Sequence, residues 1–159
     1  MPVIRRAPMP TVGPVNRRSW LLLLIAAPPE GPGLDPVRLQ KGAFLLAREA
    51  GLDPDEAYNF VPYNYGPMSR DVYSDVDRLV AEGLVQREPV SGYSWERHRA
   101  TAAGREAAHR LLARAEISSP AIEELRRIKL RVTRATFATL LADIYKRYPA
   151  YAARSAFRP

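Results

Sequence analysis

The chain has 159 residues, 47% of them hydrophobic, and 24 Lys and Arg stand against 17 Asp and Glu for a net charge of +7. That length suits one domain with a buried core, and the charge suits a polyanionic partner, nucleic acid first among them. The absence of cysteine excludes disulfides, thiolate chemistry and cysteine-based zinc sites, and His98 and His109 alone are too few for a metal site without several carboxylates.

Residues 1–15 hold Pro2, Pro8, Pro10 and Pro14 with Arg5 and Arg6, and read as a flexible basic arm. A first helix is expected from about Asn16 to Ala27, its Leu21-Leu22-Leu23-Leu24-Ile25 run buried on most sides. The preceding Asn16-Arg17-Arg18-Ser19-Trp20 superficially resembles a twin-arginine export signal. The apolar run is short, however, and Pro28-Pro29-Glu30 stands in place of a small-residue cleavage site. A core helix with a basic start is the better reading. The run cannot span a bilayer, so the expected location is cytoplasmic with no membrane partner.

Asp35 caps a second helix with Pro36 at its first position and Leu39, Ala43, Leu46 and Ala47 as its buried stripe, ending at Gly51. Asp53 to Glu56 is a truncated helix start, and Tyr58 to Tyr63 a short edge strand. Tyr63-Asn64-Tyr65-Gly66-Pro67-Met68-Ser69 is a turn leading into a helix, with Ser69 as N-cap, Val72, Tyr73, Val76, Leu79 and Val80 at helical spacing, and Gly83 as the stop. Leu84–Val90 and Tyr93–His98 flank Ser91-Gly92 as a hairpin. Thr101 caps a helix over about Ala102 to Glu116. Two more follow: one beginning at Ser119 or Pro120, with Ile122, Leu125, Ile128 and Val132 opposite Arg127, Arg131 and Arg134, and one from Thr136 to Tyr148.

Helix, helix, short strand, helix, hairpin, helix is the order of a winged helix-turn-helix. The expected class is therefore mainly α with a small β-hairpin, a winged-helix domain over 16–116 and a basic helical extension over 117–159. Three segments, Leu39-Gln40-Lys41-Gly42-Ala43-Phe44-Leu45-Leu46, Tyr63 to Ser69, and Leu79-Val80-Ala81-Glu82-Gly83-Leu84-Val85, resemble the compact winged-helix proteins of the YwgA and SocA-antitoxin (Panacea) type. Arg99 to Gly104 and Tyr145 to Ser155 are similar to further motifs of that group, so the likeness covers about 34–155. It implies a DNA-binding regulator or a protein-binding module in a stress, defence or toxin–antitoxin setting, and it supplies no catalytic residues.

Charge is unevenly spread. Residues 34–83 hold five basic and nine acidic side chains, whereas residues 117–159 hold nine basic and three acidic. On the exposed helix, Arg70, Ser74 and Arg78 are the candidates for base readout, but Asp71, Asp75, Asp77 and Glu82 lie among them, and a solvated face is the competing reading. In the wing, Arg97 and Arg99 are candidates for phosphate contact, with Arg87 and His98 nearby, while Trp95 is expected to pack inward. Arg127, Arg131 and Arg134 form a basic face for a polyanion, a solvated surface, or the back of a dimer interface. No nucleophile–base pair, phosphate-cradling loop or paired carboxylates can be defended, so neither enzymatic activity nor a cofactor is expected. The leading reading is a winged-helix transcriptional regulator that binds duplex DNA as a dimer, with the wing and the basic terminal segments supplying affinity and the exposed helix modest specificity. The alternative is an interaction module that docks on a protein through its acidic helix.

Overall fold

Six consecutive apolar residues, Trp20 to Ile25, need burial on every side, and the fold is built around them. The computed structural model describes residues 15–157; residues 1–14, almost the whole of the expected arm, and residues 158–159 lie outside it. Helix α1 (Arg17–Ala26) carries the run through the core, packed against the helices and hairpin introduced below. Asn16 and Ser19 close its first turn as a reciprocal capping box. The described residues are mainly helical, with two separate two-stranded antiparallel sheets.

Asp35 caps α2 (Pro36–Glu49), accepting from the Arg38 amide at 2.9 Å. A short 3-10 turn, Pro54–Glu56, leads to β1 (Val61–Tyr63) and β2 (Gly66–Met68), then to α3 (Arg70–Ala81). The strand expected near Tyr58–Tyr63 is thus half of a hairpin, because Gly66 and Pro67 pair back with Tyr63 and Pro62 instead of forming an open turn. Ser69 occupies the N-cap of α3, but its hydroxyl makes no capping bond. The backbone there is held from α2 instead: the Gln40 amide donates to Ser69 O at 2.9 Å and accepts from Ser69 N at 3.0 Å, and both residues are buried. One side chain thereby satisfies a buried donor and a buried acceptor at the start of α3.

Gly83, at φ +75°, ends α3 and hands the chain to β3 (Val85–Pro89), which pairs with β4 (Glu96–Ala100) from Val85↔Ala100 to Pro89↔Glu96. The second strand begins later than expected, since Tyr93 to Trp95 belong to the hairpin tip. For that reason Trp95 does not pack inward: it is 41% exposed and lies against the Tyr93 ring, centroids 4.1 Å apart. Leu34 adds a third segment to this sheet. Its N–H donates to His98 O at 3.0 Å and its carbonyl accepts from His98 N at 2.8 Å. This bridge, between α1 and α2 in the chain, was not expected.

Helix α4 (Ala102–Leu112) starts against the end of α3. Thr101 caps Gly104 N at 3.0 Å and donates its hydroxyl to Gly83 O at 2.6 Å. Gly104 approaches so closely that a Cβ there would sit 1.9 Å from Leu84 O. Helices α5 (Ser119–Arg134) and α6 (Phe137–Arg147) contribute Leu125, Ile128, Val132, Leu140, Leu141 and Ile144 to the same core as α1 and α2.

Two lysines are buried in that core. Lys129 of α5 donates to Leu24 O at 2.8 Å and Ile25 O at 2.7 Å. Those carbonyls would otherwise look to the amides four residues on, but Pro28 and Pro29 have no N–H. The ammonium group fills that gap at the negative end of the α1 dipole. Burial pushes its pKa down to about 8, with Glu30 opposing the shift. Lys41 donates to Pro67 O at 3.0 Å, and burial pushes it down to about 7 against the pull of Asp35.

Candidate nucleic-acid interface

Helical geometry sorts the side chains of α3 by direction. Val72, Val76 and Leu79 are buried, and Arg70, Ser74 and Arg78, spaced by four, share the outward face with Ala81. Three of the four carboxylates flank that face, whereas Asp77, seven residues on from Arg70, lies on it at the hairpin side. Asp71, Asp75 and Glu82 line the edge toward α1.

Every one of these carboxylates is partnered by an arginine from another element. Arg17 lies 3.0 Å from Asp71 and 3.5 Å from Asp75, Arg18 lies 3.7 Å from Glu82, and Arg87 of β3 pairs with Asp77. Tyr58 reinforces the first cluster: its hydroxyl donates to Asp75 at 2.6 Å and the Arg17 guanidinium sits 5.1 Å over its ring. Burial, then the Asp75 carboxylate, raises the Tyr58 pKa, so the phenol keeps its proton. Arg70 and Arg78 make no ion pair among the described residues and face outward.

The hairpin presents two different faces. Arg87 and its cross-strand partner His98 point toward α3 and the core. His98 is buried, its Nδ1 2.9 Å from Leu34 O, and burial holds its pKa below the ordinary value. It is a neutral structural ring that donates to Leu34 O, not a phosphate contact. Arg97 and Arg99 alternate with it and therefore lie on the opposite face, where Arg99 pairs with Glu88 at 3.2 Å and packs over Gly33. The structure does not bring them onto the outward face of α3.

The arginines of α5 form a third, separate surface. Arg127 pairs with Glu124 at 3.1 Å and Arg131 with Asp143 at 3.5 Å; Arg134 is exposed at the helix end without an ion pair among the described residues. No ion pair or hydrogen bond among the described residues connects this face to α3 or the hairpin. Of the eight candidates, Arg70, Ser74 and Arg78 are together, Arg97 and Arg99 are together, and Arg127, Arg131 and Arg134 follow one another along α5. What the sequence did not point to is Arg17, Arg18 and Arg87 as the partners of the α3 carboxylates.

Between the hairpin tip and the start of α2 lies an open cleft of about 720 Å³, lined by Pro36, Val37, Tyr65, Trp95, Phe137 and Phe157 among others. Its charged groups, Asp35 and Arg38, are paired with each other, and Arg38 also donates to Ala135 O. No group of three or more His, Asp or Glu among the described residues is placed to hold a metal ion, and no helix among them is long and apolar enough to cross a membrane. No protein-family model matches the chain, and no curated protein matches it.

Proposed function

We propose that this protein is a winged-helix, non-enzymatic regulator that binds duplex DNA through the outward face of α3, with the β3–β4 hairpin as its wing. The observation that carries the reading is the Leu34 bridge to β4. It makes the chain order helix, bridging segment, helix, helix, hairpin, with α3 held beside the hairpin by the Arg87–Asp77 pair. On this reading α3 would be the helix that enters a major groove, with Arg70, Ser74 and Arg78 as its reading side chains. The net charge of +7 adds sequence-independent attraction.

The acidic composition of α3 argues against this reading only if its carboxylates act on a ligand uncompensated. With Arg17, Arg18 and Arg87 counted, three guanidinium groups offset all but one of the four carboxylate charges, and the unpaired Arg70 and Arg78 leave the helix and its partners net positive. The same pairing weakens the alternative of docking on a basic protein through α3, because a partner cation would have to displace an arginine already in place. The likeness to YwgA and SocA-antitoxin-type proteins supports either use of the fold. Fluorescence anisotropy with a labelled random-sequence duplex, titrated from low to physiological salt, tests the proposal. Binding whose logarithm falls linearly with the logarithm of salt is expected; no binding at low salt would refute it.

A further inference from the structure

Long-range ion pairs around one helix are unusual in that all of them here tie a foreign arginine to the edge of the face proposed to meet DNA. Asp77 is 65% exposed and its partner Arg87 is 31% exposed; Glu82 and Arg18 are 45% and 32% exposed. Pairs this open to water are weakly held, and a nearby phosphate offers a guanidinium an equivalent bidentate anion. Asp75 differs, since at 14% exposure it is fixed by the Tyr58 hydroxyl and keeps Arg17 oriented.

We infer that Arg18 and Arg87, and Arg17 through its exposed Asp71 bond, are phosphate-binding residues held in reserve by the α3 carboxylates, which act as an internal stand-in for the DNA backbone. This rests on the duplex-binding reading and adds a regulatory element to it. The two edges of α3 would lie toward the two phosphate strands bounding a major groove, with α1 on one side and the hairpin on the other. Each arginine would exchange its carboxylate for a phosphate when the helix seats. Breaking the ion pair has a cost that the phosphate contact must offset, so the exchange subtracts from affinity at every site, whatever its sequence. Only sites that also satisfy Arg70, Ser74 and Arg78 with base contacts offset that loss. The carboxylates thus suppress non-specific binding and leave the basic total of the chain usable for steering.

A double-mutant cycle on the hairpin edge tests this, using the full chain and a labelled random-sequence duplex over a salt series. Asp77→Asn is expected to tighten binding several-fold, because Arg87 then reaches its phosphate without first leaving a carboxylate. Arg87→Gln is expected to weaken it. In Asp77→Asn/Arg87→Gln the gain should vanish, because there is no arginine to release. A gain that survives without Arg87 would mean that Asp77 acts by direct repulsion alone, and would overturn the inference while leaving duplex binding intact. Unchanged affinity in Asp77→Asn would overturn it equally. Absence of binding by every variant at low salt would instead remove the duplex reading itself, and this inference with it.

Discussion

Replacing Lys129 by methionine removes the only donor to Leu24 O and Ile25 O among the described residues while keeping the length of the side chain. Each buried carbonyl left without a partner costs about 1–3 kcal/mol. Against that, methionine relieves the burial of an ammonium group whose pKa is held near 8 instead of 10.5. The two effects partly offset, and we expect Lys129→Met to be destabilised by about 2 kcal/mol at pH 7. The pH dependence provides the stricter test. In the folded protein Lys129 loses its proton near pH 8, whereas the unfolded chain keeps it until about 10.5. Between those limits the unfolded state binds more protons, so wild-type stability rises with pH by about 1.4 kcal/mol per unit from this residue. The neutral amine retains two N–H donors, enough for both carbonyls. Urea unfolding followed by circular dichroism at pH 7 and pH 9.5 should therefore show a larger difference between wild type and Lys129→Met at the higher pH. A variant as stable as wild type at pH 7, or one with the same rise in stability, would refute the assignment.

Two further predictions concern how α3 is set in place. Gln40→Ala leaves the buried Ser69 N–H and carbonyl unpaired and should cost about 2–4 kcal/mol in urea unfolding; a loss below about 0.5 kcal/mol would show that the bidentate contact does not hold α3. Gly104→Ala places a Cβ in collision with Leu84 O and should destabilise by about 3 kcal/mol or more, measured as a lowered Tm; an unchanged Tm would show that α4 can withdraw from Leu84 freely.

Local chemistry accounts for what was legible before the structure. Asp35, Thr101 and Thr136 announce helices because their caps act within three residues, and Gly83 ends α3 because its φ is positive. The non-local features were hidden. Lys129 looks like a surface residue by type, and its role depends on the missing N–H groups of Pro28 and Pro29 far away in the chain. Leu34 is a single bridging residue between Gly33 and Asp35, too short for any alternation to register. Trp95 was assigned to a strand that begins one residue later. Counting charges along α3 made it acidic, because the compensating arginines come from α1 and β3.

The central claim is that the outward face of α3 meets duplex DNA, and a paired comparison of charge removals tests it most directly. Anisotropy titrations over a salt series should compare wild type, Arg70→Ala/Arg78→Ala on α3, and Arg131→Ala/Arg134→Ala on α5. The account predicts weakened binding for the α3 pair and near-wild-type affinity and salt dependence for the α5 pair. Loss of binding in the α5 pair with no change in the α3 pair would contradict it.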